Sequence, residues 1–429
     1  MRDWGLRDRR QQQSTPGGGE VFDLTREIDP LEIEALDRAG EPEPPPIPVP
    51  QRRGARAGLA IPPAPEMAAP PPRKGRGAVT NPPNRFEPTA AAPFDDGWET
   101  LAADLADLPP LPTTLTKDSS RTVISWNQSP DIGFDRAVNP YRGCEHGCVY
   151  CYARPSHAYL GYSPGLDFET KLTFKPDVAE LLEKELRKSG YVARPIALGS
   201  NTDPYQPVER TLKLTRSVLE VMERFGHPVT IVTKSAGVLR DVDILQTLAR
   251  RNLVRVHLSV TTLDPALARV MEPRAATPAR RLQAIAELTR AGIPAGVLAA
   301  PMIPALNDAE LEKILEAASR AGASWAGYVL LRLPHELKQI FEDWLHAHFP
   351  DRASHVLDLV RQTRAGALND AKFGQRFSGT GVYADLLASR FQRAARQWGL
   401  EERKPLDCSH FAPPPDGRTS AARAQLSLF

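Results

Sequence analysis

The middle of the chain, from about Thr122 to Pro350, alternates between two patterns of apolar residues. One pattern is a short run rich in Val, Ile and Leu, which is typical of a strand buried on both faces. The other has apolar residues at helical spacing. The strand-like runs are PIALGSNT (195–202), PVTIVTKS (228–235), VRVHLSVTT (254–262), AGVLAAPMI (295–303) and AGYVLLRL (326–333). The helical segments between them are 178–190, 212–226, 242–251, 279–292 and 309–322. This alternation predicts βαβ units around a parallel sheet.

The helix between the third and fourth of these strands shows how such units are delimited. Leu282, Ile285 and Leu288 lie on one predicted face, Pro278 favours a helix start and Gly292 a helix end. With a further strand that leads into a cysteine-rich loop, the chain has about six units, fewer than the eight that close a full barrel.

The flanking regions lack this alternation. Proline-rich stretches such as EPEPPPIPVP (41–50) favour extended segments and exclude helices, whereas 354–366 and 383–399 have helical patterns. The predicted divisions are a Pro-rich, basic, largely disordered region (1–115), a core (116–350), a helical C-terminal extension (351–412) and a flexible tail (413–429).

The basic stretch RKGRGAVTNPPNRFEP (73–88) leaves three interpretations open. It is a solvated linker, a basic arm that docks on a polyanion, or a segment that folds back over the main domain.

Composition narrows the class of protein. Charged residues make up 25% and hydrophobic residues 41% of the chain, as in a soluble globular protein with a disordered tail. The net charge of +2 argues neither for nor against a nucleic-acid partner. No apolar run approaches the roughly 18 residues that span a bilayer, and the N-terminus lacks the apolar stretch of a secretory signal. We therefore expect a cytoplasmic protein with no membrane partner.

Three of the four cysteines fall within NPYRGCEHGCVYCYARP (139–155). Cys144, Cys148 and Cys151 can hold three corners of a [4Fe–4S] cluster, which leaves one iron open for chemistry. The alternative is a non-catalytic iron–sulfur or zinc protein, with Cys408 or His146 as the fourth ligand of a structural zinc.

The motif CEHGCVYC, followed by a βα-repeat domain, resembles the radical S-adenosylmethionine (SAM) superfamily. The resemblance implies an α/β fold, a partial (βα)6 TIM-type barrel with the cysteine loop after its first strand. It also implies two cofactors, a [4Fe–4S] cluster and SAM, an electron donor, and reductive cleavage of SAM to a 5′-deoxyadenosyl radical that abstracts hydrogen from a substrate. Tyr150 occupies the position that in the family touches the adenine.

Polar residues at the predicted strand ends resemble those of the spore photoproduct lyase branch of the superfamily, a DNA-repair group. The resemblance implies that Ser200, Asn201, Thr202 and Asp203 meet the amino end of SAM. Lys234 pairs with its carboxylate, Ser259 meets the ribose or methionine portion, and Arg274 is a further candidate for the carboxylate. Each also has a structural interpretation, as a turn residue, a solvated lysine or a helix cap.

The sequence departs from that branch in two places. Its lyases use a cysteine to return hydrogen to the product, and the only spare cysteine is Cys408, beyond the barrel. An insert, RPSHAYLGYSPGLDFETK (154–171), follows the cluster loop, and its His157, Tyr159 and Tyr162 either line a substrate pocket or pack as a lid.

The last five residues, QLSLF (425–429), resemble the peptide by which bacterial replication and repair proteins bind the DNA polymerase sliding clamp. Leu426, Leu428 and Phe429 would enter a partner's pocket, and Gln425 would offer amide hydrogen bonds. The alternative is that this peptide docks on its own domain. Together these features favour radical chemistry on DNA. Modification of RNA, a peptide or a small molecule is the alternative.

Overall fold

The computed structural model describes residues 72–87, 111–401 and 404–415. Ten strands form two sheets: β1 Thr114–Lys117, β2 Ile124–Trp126, β3 Arg136–Val138, β4 Tyr141–Arg142, β5 Lys171–Phe174, β6 Ile196–Leu198, β7 Val229–Thr233, β8 Val254–Ser259, β9 Ala295–Met302 and β10 Ala326–Leu330. The large sheet has the order β10-β9-β8-β7-β6-β3-β2. Its pairs are parallel except β2–β3, which is antiparallel. The small sheet has the order β1-β5-β4.

Helices connect the parallel strands. They are α1 Asp167–Thr170, α2 Val178–Leu186, α3 Glu209–Leu212, α4 Leu214–Phe225, α5 Val242–Arg250, α6 Pro265–Met271, α7 Pro278–Arg290, α8 Leu311–Arg320, α9 Leu337–His348, α10 Pro350–Gln362 and α11 Val382–Gln397. The buried faces of α2, α4, α5, α7 and α8 share one core with the Val, Ile and Leu side chains of the strands. The six parallel strands and the helices between them confirm the partial (βα)6 barrel.

The helix starts follow their capping residues. The Thr277 side chain accepts a hydrogen bond from the backbone N–H of Arg280, and Pro278 opens α7. Asp264 caps α6 in the same way, through the N–H of Ala266. Local sequence therefore sets where these helices begin, and the burial of their apolar faces holds them on the sheet.

The C-terminal extension fills the open side of the partial barrel, beyond β10. The backbone N–H of Leu330 donates to the carbonyl of Phe377 at 2.9 Å. Phe377 packs with Phe134 and Ala137 at the opposite side of the gap. Next to it, the buried Arg376 forms a two-point ion pair with Asp131 at 2.9 and 2.6 Å. The extension thus joins the two edges that six strands leave apart.

Residues 404–415 run along the amino ends of the strands. The Asn252 side chain, before β8, donates to the carbonyl of Pro405 at 2.8 Å, and the N–H of Asp407 donates to the carbonyl of Asn252 at 2.9 Å. The carboxyl ends are the length of a strand away, roughly 3.3 Å per residue. Cys408 therefore lies at the opposite end of the barrel from the cysteine loop.

Residues 72–87 pack against the main domain, which is one of the three interpretations left open for the basic stretch. The rest of the N-terminal region and the QLSLF peptide lie outside the described residues. Among the helices that the structure describes, none combines the length and apolar character needed to cross a bilayer.

Candidate functional site

A cavity opens at the carboxyl ends of the parallel strands, where parallel α/β folds place their ligands. It encloses about 940 Å³ when the space is counted out to its opening into solvent. One wall carries the three loop cysteines and Tyr150. The strand ends contribute Asn201, Asp203, Lys234 and Ser259, and the far wall contains Tyr152, Arg332 and Phe377.

The cysteine loop is held by backbone hydrogen bonds on both sides. The N–H of Cys144 donates to the carbonyl of Phe168 at 2.9 Å, and that of Val149 to Met271 at 3.0 Å. Gln206 binds the first turn, accepting from the N–H of Glu145 at 2.9 Å and donating to the carbonyl of Gly143 at 3.2 Å. These contacts fix the loop without using the thiols.

All three thiols face the cavity. Burial raises the pKa of Cys144 well above its usual range, and nearby Asp203 and the other two thiols add to the effect. Burial also raises the pKa of Cys148 to about 12 and raises the pKa of Cys151. Thiolates at these positions therefore need a positive charge beside them, which a bound metal centre supplies.

Asp203 is a partly buried carboxylate on the cavity wall. It accepts hydrogen bonds from the Thr233 hydroxyl and the Lys234 backbone N–H, each at 2.7 Å. The Nδ1 atom of His146 lies 3.3 Å from its Oδ2 atom. Burial alone would raise the pKa of Asp203, but His146 and these hydrogen bonds lower it to about 2. Asp203 is thus anionic at neutral pH.

Tyr150 is oriented by a buried polar network that sequence reasoning missed. Its hydroxyl donates to Glu272, which also accepts from the Thr261 hydroxyl at 2.5 Å and forms an ion pair with Arg281. Burial would raise the pKa of Glu272, but Arg281 and Lys234 lower it to about 2. The Lys234 ammonium lies 5.6 Å from the centre of the Tyr150 ring. The network therefore fixes an aromatic ring and a cation side by side in the cavity.

Of the other predicted site residues, two line the cavity and two bind neighbouring parts of the chain. Asn201 and Ser259 line the cavity, and the buried Oδ1 atom of Asn201 has no hydrogen-bond partner among the described residues. Thr202 is buried and donates to the carbonyl of Tyr141 at 3.0 Å, and Ser200 accepts from Asn139 at 3.2 Å.

Arg274, the last of the predicted SAM contacts, lies outside the cavity. It forms an ion pair with Glu145 at 3.0 Å, its side chain is 33% exposed, and it does not line the cavity.

The insert after the cluster loop packs on itself. The buried His157 ring meets Phe168 edge-on at 5.5 Å and Tyr162 at 5.4 Å. Burial lowers the pKa of His157 to about 4, so the ring is neutral at pH 7. Neither His157 nor Tyr162 lines the cavity.

The far wall of the cavity was not predicted from sequence. Arg332 follows β10, and its guanidinium carbon lies 5.3 Å from the ring centre of Tyr152 and 5.0 Å from that of Phe377. Tyr152 directly follows Cys151, a position that could have indicated its role, but Phe377 reaches the cavity only through the tertiary fold.

Comparison with known proteins identifies the family. The model for the radical SAM superfamily matches residues 138–318, from the end of β3 into α8. An uncharacterized protein of Mycobacterium tuberculosis is 36% identical over 233 residues, which cover 54% of this chain and 68% of the relative. The chain belongs to the radical SAM superfamily. A radical SAM Nalpha-GlyT isomerase of Pseudomonas phage M6 is 23% identical over 240 residues, 54% of this chain and 48% of the isomerase.

Solved structures give a more distant match. A mutant of spore photoproduct lyase is 19% identical, with a TM-score of 0.49, and the match covers 66% of this chain and 79% of the lyase. At this similarity the match bears on neither substrate nor reaction.

Radical SAM membership implies a [4Fe–4S] cluster and SAM, and the residues present fit both. Cys144, Cys148 and Cys151 are a three-thiolate donor set on one loop, the type of ligand that such clusters take. Cys408, the fourth cysteine of the chain, lies at the other end of the barrel. The cavity beside the thiols offers an anion, a cation and an aromatic ring, which match the amino, carboxylate and adenine groups of SAM.

Proposed function

We propose that this chain is a radical SAM enzyme that acts on DNA. The observation that carries the enzymatic part is the cavity itself, which is lined both by three thiols and by groups complementary to SAM. When bound, a reduced [4Fe–4S] cluster supplies the electron that cleaves SAM into methionine and a 5′-deoxyadenosyl radical. The protein's part is to orient the reactants and exclude water.

In this proposal Cys144, Cys148 and Cys151 hold the cluster. Three thiolates would leave one iron of such a cluster without a protein ligand, and the cavity beside the thiols would give SAM access to it. The raised pKa values of the thiols make cluster binding dependent on loss of their protons.

The strand-end residues would hold SAM by charge and shape. Asp203 accepts hydrogen bonds from the amino group, helped by the unpartnered Oδ1 atom of Asn201. Lys234 pairs with the carboxylate and Tyr150 contacts the adenine. Ser259 adds a hydroxyl to the ribose or methionine portion. Arg274, which is paired with Glu145, is the weakest of the predicted contacts.

DNA as the substrate draws on two features. Tyr152, Phe377 and Arg332 line the cavity with two aromatic rings and a guanidinium, the types of group on which proteins stack unpaired bases. The QLSLF peptide (425–429), outside the described residues, would tether the enzyme to the sliding clamp.

The test is substrate-dependent cleavage of SAM. Protein reconstituted anaerobically with iron and sulfide, then reduced, receives SAM with damaged DNA, undamaged DNA, RNA of the same sequence, or no substrate. We expect 5′-deoxyadenosine in every arm and more of it with DNA than without substrate. An increase in 5′-deoxyadenosine with RNA alone would indicate that the substrate is RNA. No 5′-deoxyadenosine in any arm would contradict the proposed enzymatic activity. Deleting Gln425–Phe429 should abolish clamp binding and leave SAM cleavage unchanged.

A further inference from the structure

Residues 76–82, which we call the strap, lie on the outside of the cysteine loop. The strap precedes the part of the chain that matches the radical SAM family, residues 138–318. Arg76, Gly77, Ala78 and Val79 are nevertheless buried. Ala78 and Val79 pack in one apolar cluster with Val149 and Tyr150. A segment far away in sequence therefore contributes to the surroundings of the cluster ligands.

The strap and the cysteine loop meet backbone to backbone. A Cβ atom at Gly77 would lie 1.7 Å from the carbonyl oxygen of Gly147, a separation that real atoms cannot adopt. Gly147 has a φ of +68°, and a Cβ there would lie 2.8 Å from Glu169. Both positions therefore require glycine, because the two backbone segments lie too close together to leave room for a side chain.

Glu169 binds both the strap and a residue that contacts the cysteine loop. Its fully buried carboxylate accepts hydrogen bonds from the N–H groups of Gly77 and Ala78 at 3.0 and 2.8 Å. It also binds Arg154 at 2.5 Å. Arg154 in turn donates to the carbonyl of Cys148 at 2.9 Å. One carboxylate thus connects the strap to the backbone of a cluster ligand.

A second path joins the strap to the first turn of the loop. The guanidinium of Arg76 donates to the carbonyl of Glu169 at 2.8 Å and to the Thr113 hydroxyl at 3.3 Å. Thr113 donates to Glu145 at 2.6 Å, and Glu145 directly follows Cys144. The strap therefore reaches the neighbours of two cluster ligands.

The far end of the strap is anchored on other elements. The hydroxyl of Thr80 donates to Asp343 in α9 at 2.6 Å. The side chain of Asn81 donates to Asp167 at 3.1 Å. A Cβ at Gly165 would lie 2.3 Å from the carbonyl oxygen of Thr80, a further close backbone contact. These contacts fix the far end of the strap beside the cysteine loop.

We propose that the strap is a positioning element that closes the outer side of the cysteine loop and so retains and shields the cluster. Gly77 and Glu169 are its positioning residues, since they act on the ligands through the backbone of the loop. This inference rests on the proposed function, because it assumes that the loop binds a cluster.

The test compares Gly77→Ala with Lys74→Ala. Lys74 is exposed and lies three residues before Gly77, just outside the strap, so it controls for a substitution in the same segment. Each protein is reconstituted anaerobically, its iron is counted, and the loss of cluster absorbance in air is timed. We expect the cluster of Gly77→Ala to bleach about tenfold faster than wild type, because a lifted strap exposes the loop. Lys74→Ala should match wild type.

Limited trypsin digestion of the cluster-free proteins gives a readout that does not need the cofactor. Arg76 is buried in the strap, so wild type should resist cleavage there while Gly77→Ala is cut, and thermal unfolding checks that the barrel remains folded. Equal bleaching of Gly77→Ala and Lys74→Ala, with equal protection of Arg76 from trypsin, would overturn the proposed role of the strap. Failure of wild type itself to form a cluster would instead contradict the proposed function.

Discussion

At the scale of single residues, the site depends on where charges are buried. Lys234 lies between the Tyr150 ring, the Cys148 thiol and Glu272, and Cys148 and Glu272 raise its pKa against the effect of burial. Asp203, on the same wall, is held anionic by His146 and two hydrogen bonds. A cation and an anion fixed in one cavity are what a zwitterionic amino acid group requires.

Lys234→Met should weaken SAM binding. Loss of a hydrogen bond to a charged group costs about 1.5–3 kcal/mol, which corresponds to a rise in Kd of roughly 10- to 150-fold. Calorimetric titration of reconstituted protein with SAM measures it. Lys184→Met, on the exposed face of α2, is the matched control and should bind as wild type does. Equal affinity of both variants would remove Lys234 from the SAM site.

Two carboxylates beside the cavity, Asp203 and Glu272, also predict how stability depends on pH. Asp203 and Glu272 have pKa values of about 2 in the folded chain, below the ordinary values of 3.8 and 4.5. They therefore stabilise the fold above pH about 4.5 and lose that contribution as the pH falls toward 2, by roughly 1–3 kcal/mol each. Urea unfolding of cluster-free protein between pH 7 and pH 3 measures it.

Glu272→Gln is the variant that checks this assignment. It should be less stable than wild type at pH 7, because Arg281 loses its carboxylate, and its stability should fall less steeply below pH about 4.5. An identical slope in the two proteins would show that Glu272 does not titrate in this range.

At the scale of elements, the C-terminal extension decides how the barrel is closed. The large sheet leaves a gap between its edge strands β10 and β2. Residues 374–380 occupy this gap through the Asp131–Arg376 pair and the packing of Phe377. The same segment brings Phe377 to the cavity wall. The same segment therefore closes the barrel and shapes the cavity.

Asp131→Ala should destabilise the protein by about 3–5 kcal/mol, because it removes the carboxylate from a buried guanidinium. Asp358→Ala is the contrast, since the Asp358–Arg361 pair on α10 is largely exposed and such pairs contribute less than about 1 kcal/mol. Denaturant unfolding of the two variants measures the difference. Similar losses would mean that the gap is held by other contacts.

At the scale of the whole molecule, local sequence was sufficient to predict the barrel and the cysteine loop. The five apolar runs and the helices between them appear where their periodicity predicts, because each unit buries one continuous apolar face. The three cysteines share one loop, so their spacing alone predicts that they face the same cavity. Asp203 and Lys234 follow adjacent strands, and parallel strands bring such residues to one edge.

Other parts of the site depend on contacts that are distant in sequence. Glu272 and Arg281 lie on either side of the start of α7. Their ion pair beside Tyr150 forms only in the folded chain, so it could not be predicted from the sequence. Phe377 and the strap come from outside the barrel, with no periodic pattern to place them. Arg274 was predicted as a SAM contact, but its side chain pairs with Glu145, a partner that spacing cannot show.

In the proposed function, Cys144, Cys148 and Cys151 bind a cluster whose fourth iron is open to SAM. The most direct measurement is the electron paramagnetic resonance spectrum of the reduced, reconstituted protein before and after SAM is added. We predict a cluster signal that SAM changes in wild type and in Cys408→Ala alike, and no such signal in Cys148→Ser. A signal that SAM leaves unchanged, or loss of the cluster in Cys408→Ala, would contradict the account.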